Sequence, residues 1–149
     1  MAIYNRPSST GRSFIISVDE DTDDSFLLKS AFAAVELAVD LQSYNNLTEL
    51  QEYLQCNDNN KLRLPKIIIV DVYFPGEMAM QTIMILKAHP SYRRIPVIIL
   101  SGIDDPKAIN EFYNIGASAL IKKPTSCQQW KIMATILWEY WFVVTTLPT

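Results

Sequence analysis

Residues 65–77, "PKIIIVDVYFPGE", join a continuous apolar run to an acid. Lys66 to Val70 show no alternation of polar and apolar positions, the pattern of a strand covered on both faces in the middle of a parallel sheet. The run stops at Asp71 and passes into Val72, Tyr73, Phe74, Pro75 and Gly76 in place of a simple polar turn. Burying a carboxylate costs free energy unless something compensates it, so the environment of Asp71 becomes the central question.

Working outward, "SFIISV" (13–18) reads as a first strand and "ELAVDL" (36–41) as a short second one; "IPVIIL" (95–100) and "SALIK" (118–122) follow the central run as strands four and five. Helical segments alternate with them. After the acidic "DEDTDD", a first helix carries Phe26, Leu27, Ser30 and Ala34 near helical spacing. The second has Asn46 as cap, Glu49 three residues later, and Leu47, Leu50 and Leu54 for its inner face. A third spans about 78–88 and ends before Pro90. Asp105 caps a fourth with Pro106 at its first position and Gly116 closing it. A fifth starts at Ser126 and Gln129 and presents Trp130, Met133, Ala134 and Leu137 inward.

Five strands alternating with five helices predict an α/β three-layer sandwich: a doubly wound, five-stranded parallel sheet in flavodoxin-like order 2-1-3-4-5. The 149 residues suit one domain, with residues 1–12 as a tail and 13–149 as the folded unit. A net charge of −3, from 13 basic and 16 acidic residues, supplies no cationic footprint for nucleic acid. The absence of a secretory signal or a long apolar span predicts a cytoplasmic protein with no membrane segment. Cys56 and Cys127 fit neither a disulfide framework nor a zinc motif.

In a doubly wound sheet, functional groups gather where the strands end, near the switch point. Strand 1 ends at Asp19 and Glu20, strand 3 at Asp71, strand 4 at Ser101 and strand 5 at Lys122 and Lys123. Carboxylates crowded into one crevice repel one another unless a cation joins them, and a hard ion such as Mg²⁺ suits such oxygen ligands. A carboxylate can also be a nucleophile that becomes an aspartyl phosphate. Metal, hydroxyl and lysine are the groups that neutralise a transferred phosphoryl group, so Asp71 reads as a phosphoacceptor more than as a metal ligand alone. Strand alternation and the following Pro124 turn Lys123 inward and Lys122 toward solvent.

The ordered set resembles the receiver domain of two-component response regulators, in a stand-alone, single-domain form: Asp19-Glu20 after strand 1, Asp71 with Pro75 four residues on, Ser101, then Lys123-Pro124. The likeness runs from Phe14 to about Leu137. It implies that Asp71 takes phosphate from a histidine kinase or histidine phosphotransfer protein, and that Asp19, Glu20, Asp71 and the Tyr73 backbone carbonyl hold Mg²⁺. It also implies that Ser101 and Lys123 respond to the phosphoryl group, with self-phosphorylation and autodephosphorylation in place of turnover of a separate substrate. Output is expected through protein contacts, at helix 4, strand 5 and helix 5, either with another protein or as a homodimer. Ala79 replaces a common glycine, and Leu120 stands where the family often has an aromatic that moves on activation. The competing reading is a receiver-like interaction module that no longer switches.

Other chemistries fit less well. Asp21, Asp23 and Asp24 read as a solvated acidic loop and helix start. His89 reads as a helix-end residue, and Tyr73 occupies the place of the second acid in the DxD of aspartyl-phosphate phosphatases. Trp138, Tyr140, Trp141 and Phe142 either cover one end of the core or form a partner surface.

Overall fold

In the computed structural model, residues 13–35, 39–57, 64–72, 76–102 and 104–148 are described. The expected tail 1–12 and Tyr73 lie outside them. The strands are β1 (Phe14–Val18), β2 (Asp40–Tyr44), β3 (Ile67–Val72), β4 (Val97–Ser101) and β5 (Ala119–Lys122). The helices are α1 (Thr22–Ala34), α2 (Leu47–Cys56), α3 (Glu77–Ala88), α4 (Pro106–Asn114) and α5 (Cys127–Trp138). All strand pairings are parallel, in the expected order β2-β1-β3-β4-β5.

The side-chain period of two divides each central strand between two cores. Ile16, Val18, Ile68, Val70 and Ile99 join Leu50, Ile83 and Phe112 from α2, α3 and α4. Ile15, Ile67, Ile69, Ile98 and Leu100 join Leu28 and Phe32 from α1 and Trp130 and Leu137 from α5. Every residue of β1, β3 and β4 is buried, which is why these strands read as unbroken apolar runs.

Two elements differ from the sequence reading. β2 is Asp40–Tyr44, aligned with Phe14–Val18, where the apolar "ELAVDL" pointed to 36–41; residues 36–38 lie outside those described. β2 is an edge strand, mostly half-buried, and an edge does not require a continuous apolar run. Its Ser43 hydroxyl instead meets that of Ser17 at 2.9 Å. In α1 the buried stripe is Ser25, Leu28, Ala31 and Phe32, while Phe26 is 68% exposed. The expected stripe of Phe26, Leu27, Ser30 and Ala34 is rotated from the observed one, since the small Ser25 and Ala31 occupy buried positions while the large Phe26 does not.

The caps follow side-chain chemistry. Asn46 Oδ1 accepts from the Glu49 N–H at 2.9 Å, and Ser126 Oγ accepts from the Gln129 N–H at 3.1 Å. Their reciprocal partners reach one residue further back than in a standard capping box: Glu49 accepts from the Asn45 N–H and Gln129 from the Thr125 N–H. Asp105 caps α4 and Pro106 opens it. Gly116 follows with φ +117°, in the region that favours glycine.

α5 runs into a π-helical turn, Glu139–Val144. Trp138 and Phe142 are buried and stacked with ring centroids 5.2 Å apart, against the core shared with α1. They cover this end of the sheet, whereas Tyr140 is 52% exposed. No helix among the described residues is long and apolar enough to cross a membrane. Cys56 and Cys127 are free and exposed.

Candidate functional site

The register brings the carboxyl ends of the strands to one edge. Asp71 lies beside Leu100, and Ser101 lies between Val72 and Lys122. Asp19 follows Val18, and its backbone N–H donates to Tyr44 O at 2.9 Å, fixing the chain as it leaves β1. Asp19 Oδ1 then accepts from the Asp21 N–H at 2.8 Å, while Asp21 Oδ1 accepts from the Asp23 N–H at 2.8 Å and caps α1. This turn carries the chain over the end of the sheet and delivers the first turn of α1 to the crevice.

Asp71 and Asp19 are buried, and Ser101 is buried with them. Lys123 extends from the end of β5, its backbone N–H donating to Ser101 O at 2.9 Å. Its Nζ lies 2.6 Å from Asp71 Oδ1 and 3.0 Å from Asp24 Oδ2. Lys122 points away, with its side chain 75% exposed and its Nζ 4.0 Å from Asp104.

Carboxylate oxygens of Asp19, Asp24 and Asp71 lie within 4.8 Å of one another. Glu20 is exposed and is not in this group. Asp24, read from sequence as part of a solvated loop, belongs to the cluster. The correct α1 stripe would have revealed it, since Asp24 precedes Leu28 by four residues and Ala31 by seven.

The cluster's charge is only partly balanced. Burial, together with the hydrogen bond and negative charge of Asp19, pushes the Asp71 carboxyl from 3.8 up to about 8, against the opposing pull of Lys123. Burial raises Asp19 as well, aided by the charge of Asp24. For Lys123, burial alone would lower the ammonium's pKa, but its bonds to Asp71 and Asp24 turn the balance and raise it. Three carboxylates around one ammonium form an all-oxygen, net negative donor set, which fits a hard divalent cation and not a soft metal.

A family model described as "Response regulator receiver domain" matches residues 15–136. Among solved structures, the response regulator RPA3017 in red light signalling of R. palustris superposes with a TM-score of 0.81 at 23% identity, covering 92% of this chain and 99% of that one. The phosphorylated cyanobacterial phytochrome response regulator RcpA gives 0.80 at 23% identity, covering 93% and 99%. The Mn²⁺-bound response regulator Rcp1 gives 0.76 at 19% identity, covering 92% and 99%. At these identities the superpositions speak to the fold, while the family match spans most of the chain's length. The chain belongs to the response regulator receiver domain family.

Proposed function

We propose that this receiver domain is a phosphorylation-switched signalling protein that accepts a phosphoryl group on Asp71. The observation that carries the reading is the buried Asp71 carboxylate, held at the end of the central strand with the Lys123 ammonium 2.6 Å away. In the proposed step a carboxylate oxygen of Asp71 attacks the phosphorus of a phosphohistidine. The P–O bond forms as the P–N bond breaks, and the electron pair leaves on the imidazole nitrogen of the donor. Lys123 is the cation available to the new phosphoryl oxygens, and the Ser101 hydroxyl, beside Val72 on β4, is the proposed neutral donor.

Asp19 and Asp71 are the residues proposed to hold Mg²⁺, which when bound would neutralise phosphoryl charge. Two structural neighbours, one phosphorylated and one Mn²⁺-bound, support this chemistry. Exposed Glu20 would act from the rim, through water. The Tyr73 carbonyl completes the set implied by the family resemblance.

Receiver domains interact with histidine kinases and phosphotransfer proteins, and such a protein is the proposed donor. The signal is proposed to leave through α4, β5 and α5, toward a protein partner or a second copy. One feature favours a weaker switch: Leu120 is an aliphatic residue packed against the core where an aromatic is common. Incubation with a small phosphodonor and Mg²⁺, followed by intact mass, should add one base-labile phosphoryl group to wild type and none to Asp71→Asn. Equal modification of both would place the acceptor elsewhere.

A further inference from the structure

One ammonium serves two carboxylates here. Lys123 Nζ sits 2.6 Å from Asp71 Oδ1 and 3.0 Å from Asp24 Oδ2, and the Lys123 and Asp24 side chains are only 18% and 21% exposed. Asp24 is held by the first turn of α1, whose start is fixed by the Asp21 cap. Lys123 is held from the other side by its backbone bond to Ser101 O. The ion pair therefore spans two elements that are far apart in sequence, and both ends are anchored by backbone contacts.

We infer that Asp24 is a positioning residue that competes with the phosphoryl group for Lys123, and so sets how tightly the phosphorylated state is held. This inference rests on Asp71 being the acceptor. A phosphoryl group brings about −1.5 to −2 charges and strong acceptor oxygens, and charge-assisted bonds to it are stronger than those between neutral groups. Lys123 already follows Asp71. Turning further toward the phosphoryl oxygens weakens its bond to Asp24, which would leave the Asp24 carboxylate close to a dianion with less cation to offset it. Asp24 thereby opposes the modified state through the same ammonium that favours it. The arrangement would weaken the hold on the phosphoryl group while keeping Lys123 inside the crevice before phosphate arrives.

The test uses the full chain, Mg²⁺ and the phosphoryl mimic beryllofluoride, with affinities read by calorimetry. Asp24→Asn should bind beryllofluoride about fivefold more tightly than wild type, the scale of one partly exposed charge-assisted contact. Asp24→Glu, whose longer stem still reaches Lys123, should return to within about twofold of wild type. Asp23→Asn removes the same charge one residue earlier from an exposed position, and it should change affinity by less than about twofold. Affinity unchanged or weakened in Asp24→Asn overturns the inference, as does an equal gain in Asp23→Asn, which would signify general repulsion. A loss of Mg²⁺ affinity in Asp24→Asn as large as in Asp19→Asn also overturns it, by making Asp24 a metal ligand. If wild type is phosphorylated at Asp71 but Asp24→Asn behaves as wild type, only the Asp24 role fails. If wild type takes neither phosphoryl group nor beryllofluoride, the acceptor reading fails and takes this one with it.

Discussion

Lys123 Nζ and Asp71 Oδ1 lie 2.6 Å apart across the ends of β5 and β3, yet the Asp71 carboxyl remains raised to about 8. Burial of the carboxyl, with the hydrogen bond and charge of the neighbouring Asp19, outweighs the pull of Lys123, which also pairs with Asp24. In the metal-free crevice this balance favours proton uptake by the Asp71 and Asp19 carboxyls, and a divalent cation would compete with that proton.

That balance gives a pH dependence with a definite sign. The ordinary pKa of the Asp71 carboxyl is 3.8 and its folded value is about 8. Below 3.8 both folded and unfolded chains hold the proton; between the two values the unfolded chain releases it first, so stability falls as pH rises, with the full penalty above about 8. Asp19 is raised too and adds the same sign. Without metal, the melting temperature should fall between pH 5.5 and pH 8, and Asp71→Asn should flatten the slope. Added Mg²⁺ should raise it by roughly 4 °C more at pH 8 than at pH 5.5, since about 1 kcal/mol moves a chain of this size by roughly 2–4 °C. A Mg²⁺ effect equal at both pH values would mean that the ion does not replace this proton.

Removing the lysine should be felt most where Asp71 is charged. Lys123→Ala leaves two buried or half-buried acids without their shared cation, at a cost of about 3 kcal/mol near pH 8, the low end for breaking a buried pair because the lysine keeps some exposure. Near pH 5.5 Asp71 can keep its proton, so the loss should be smaller. Denaturant unfolding at both pH values checks this, and a loss that grows on acidification would contradict the assigned balance.

Gly116 offers a test of the fold away from the crevice. Its φ of +117° disfavours any side chain, and an added Cβ would meet Lys87 Cγ at 2.9 Å. Lys87 cannot simply swing aside without loss, because its Nζ donates to Arg93 O and Ile95 O, each at 3.1 Å. Gly116→Ala should cost about 1–3 kcal/mol. Adding Lys87→Ala should relieve the contact but not the backbone strain, so the double variant should remain less stable than Lys87→Ala alone.

What the sequence disclosed followed from the kind of signal each element carries. β1, β3 and β4 are covered on both faces, so burial wrote itself as apolar runs, and the strand order followed from alternation with helices. β2 gave no such signal, because an edge strand with the composition Asp-Leu-Gln-Ser-Tyr is held mainly by its register with β1. The α1 stripe departs from the sequence expectation for a related reason: Phe26 is large and apolar but 68% exposed, while small Ser25 and Ala31 are buried. That rotation hid Asp24, whose approach to Lys123 joins residues 99 positions apart and has no local signature. Asp19, Asp71 and Lys123 could be brought together from sequence because each ends a parallel strand, and strand ends in a doubly wound sheet converge.

The hydroxyl of Tyr113 on α4 accepts a hydrogen bond of 3.0 Å from the Leu120 N–H on β5. It gives the outer edge of β5 a partner and ties α4 to the strand that ends at Lys122, next to the lysine of the crevice. Leu120 lacks a ring, so this bond is a direct link between α4 and β5 that a phosphoryl group could alter. Tyr113 is 47% exposed, and water can replace its hydroxyl, so Tyr113→Phe should lower stability by no more than about 1 kcal/mol. Its local effect should be larger. Amide exchange at Leu120 should accelerate several-fold in the variant, and the change in exchange that beryllofluoride produces across residues 104–114 should shrink while protection near Asp71 persists. Wild-type exchange that responds to beryllofluoride only around the crevice would show that α4 does not follow the site. An undiminished α4 response in Tyr113→Phe would show that coupling runs by another route.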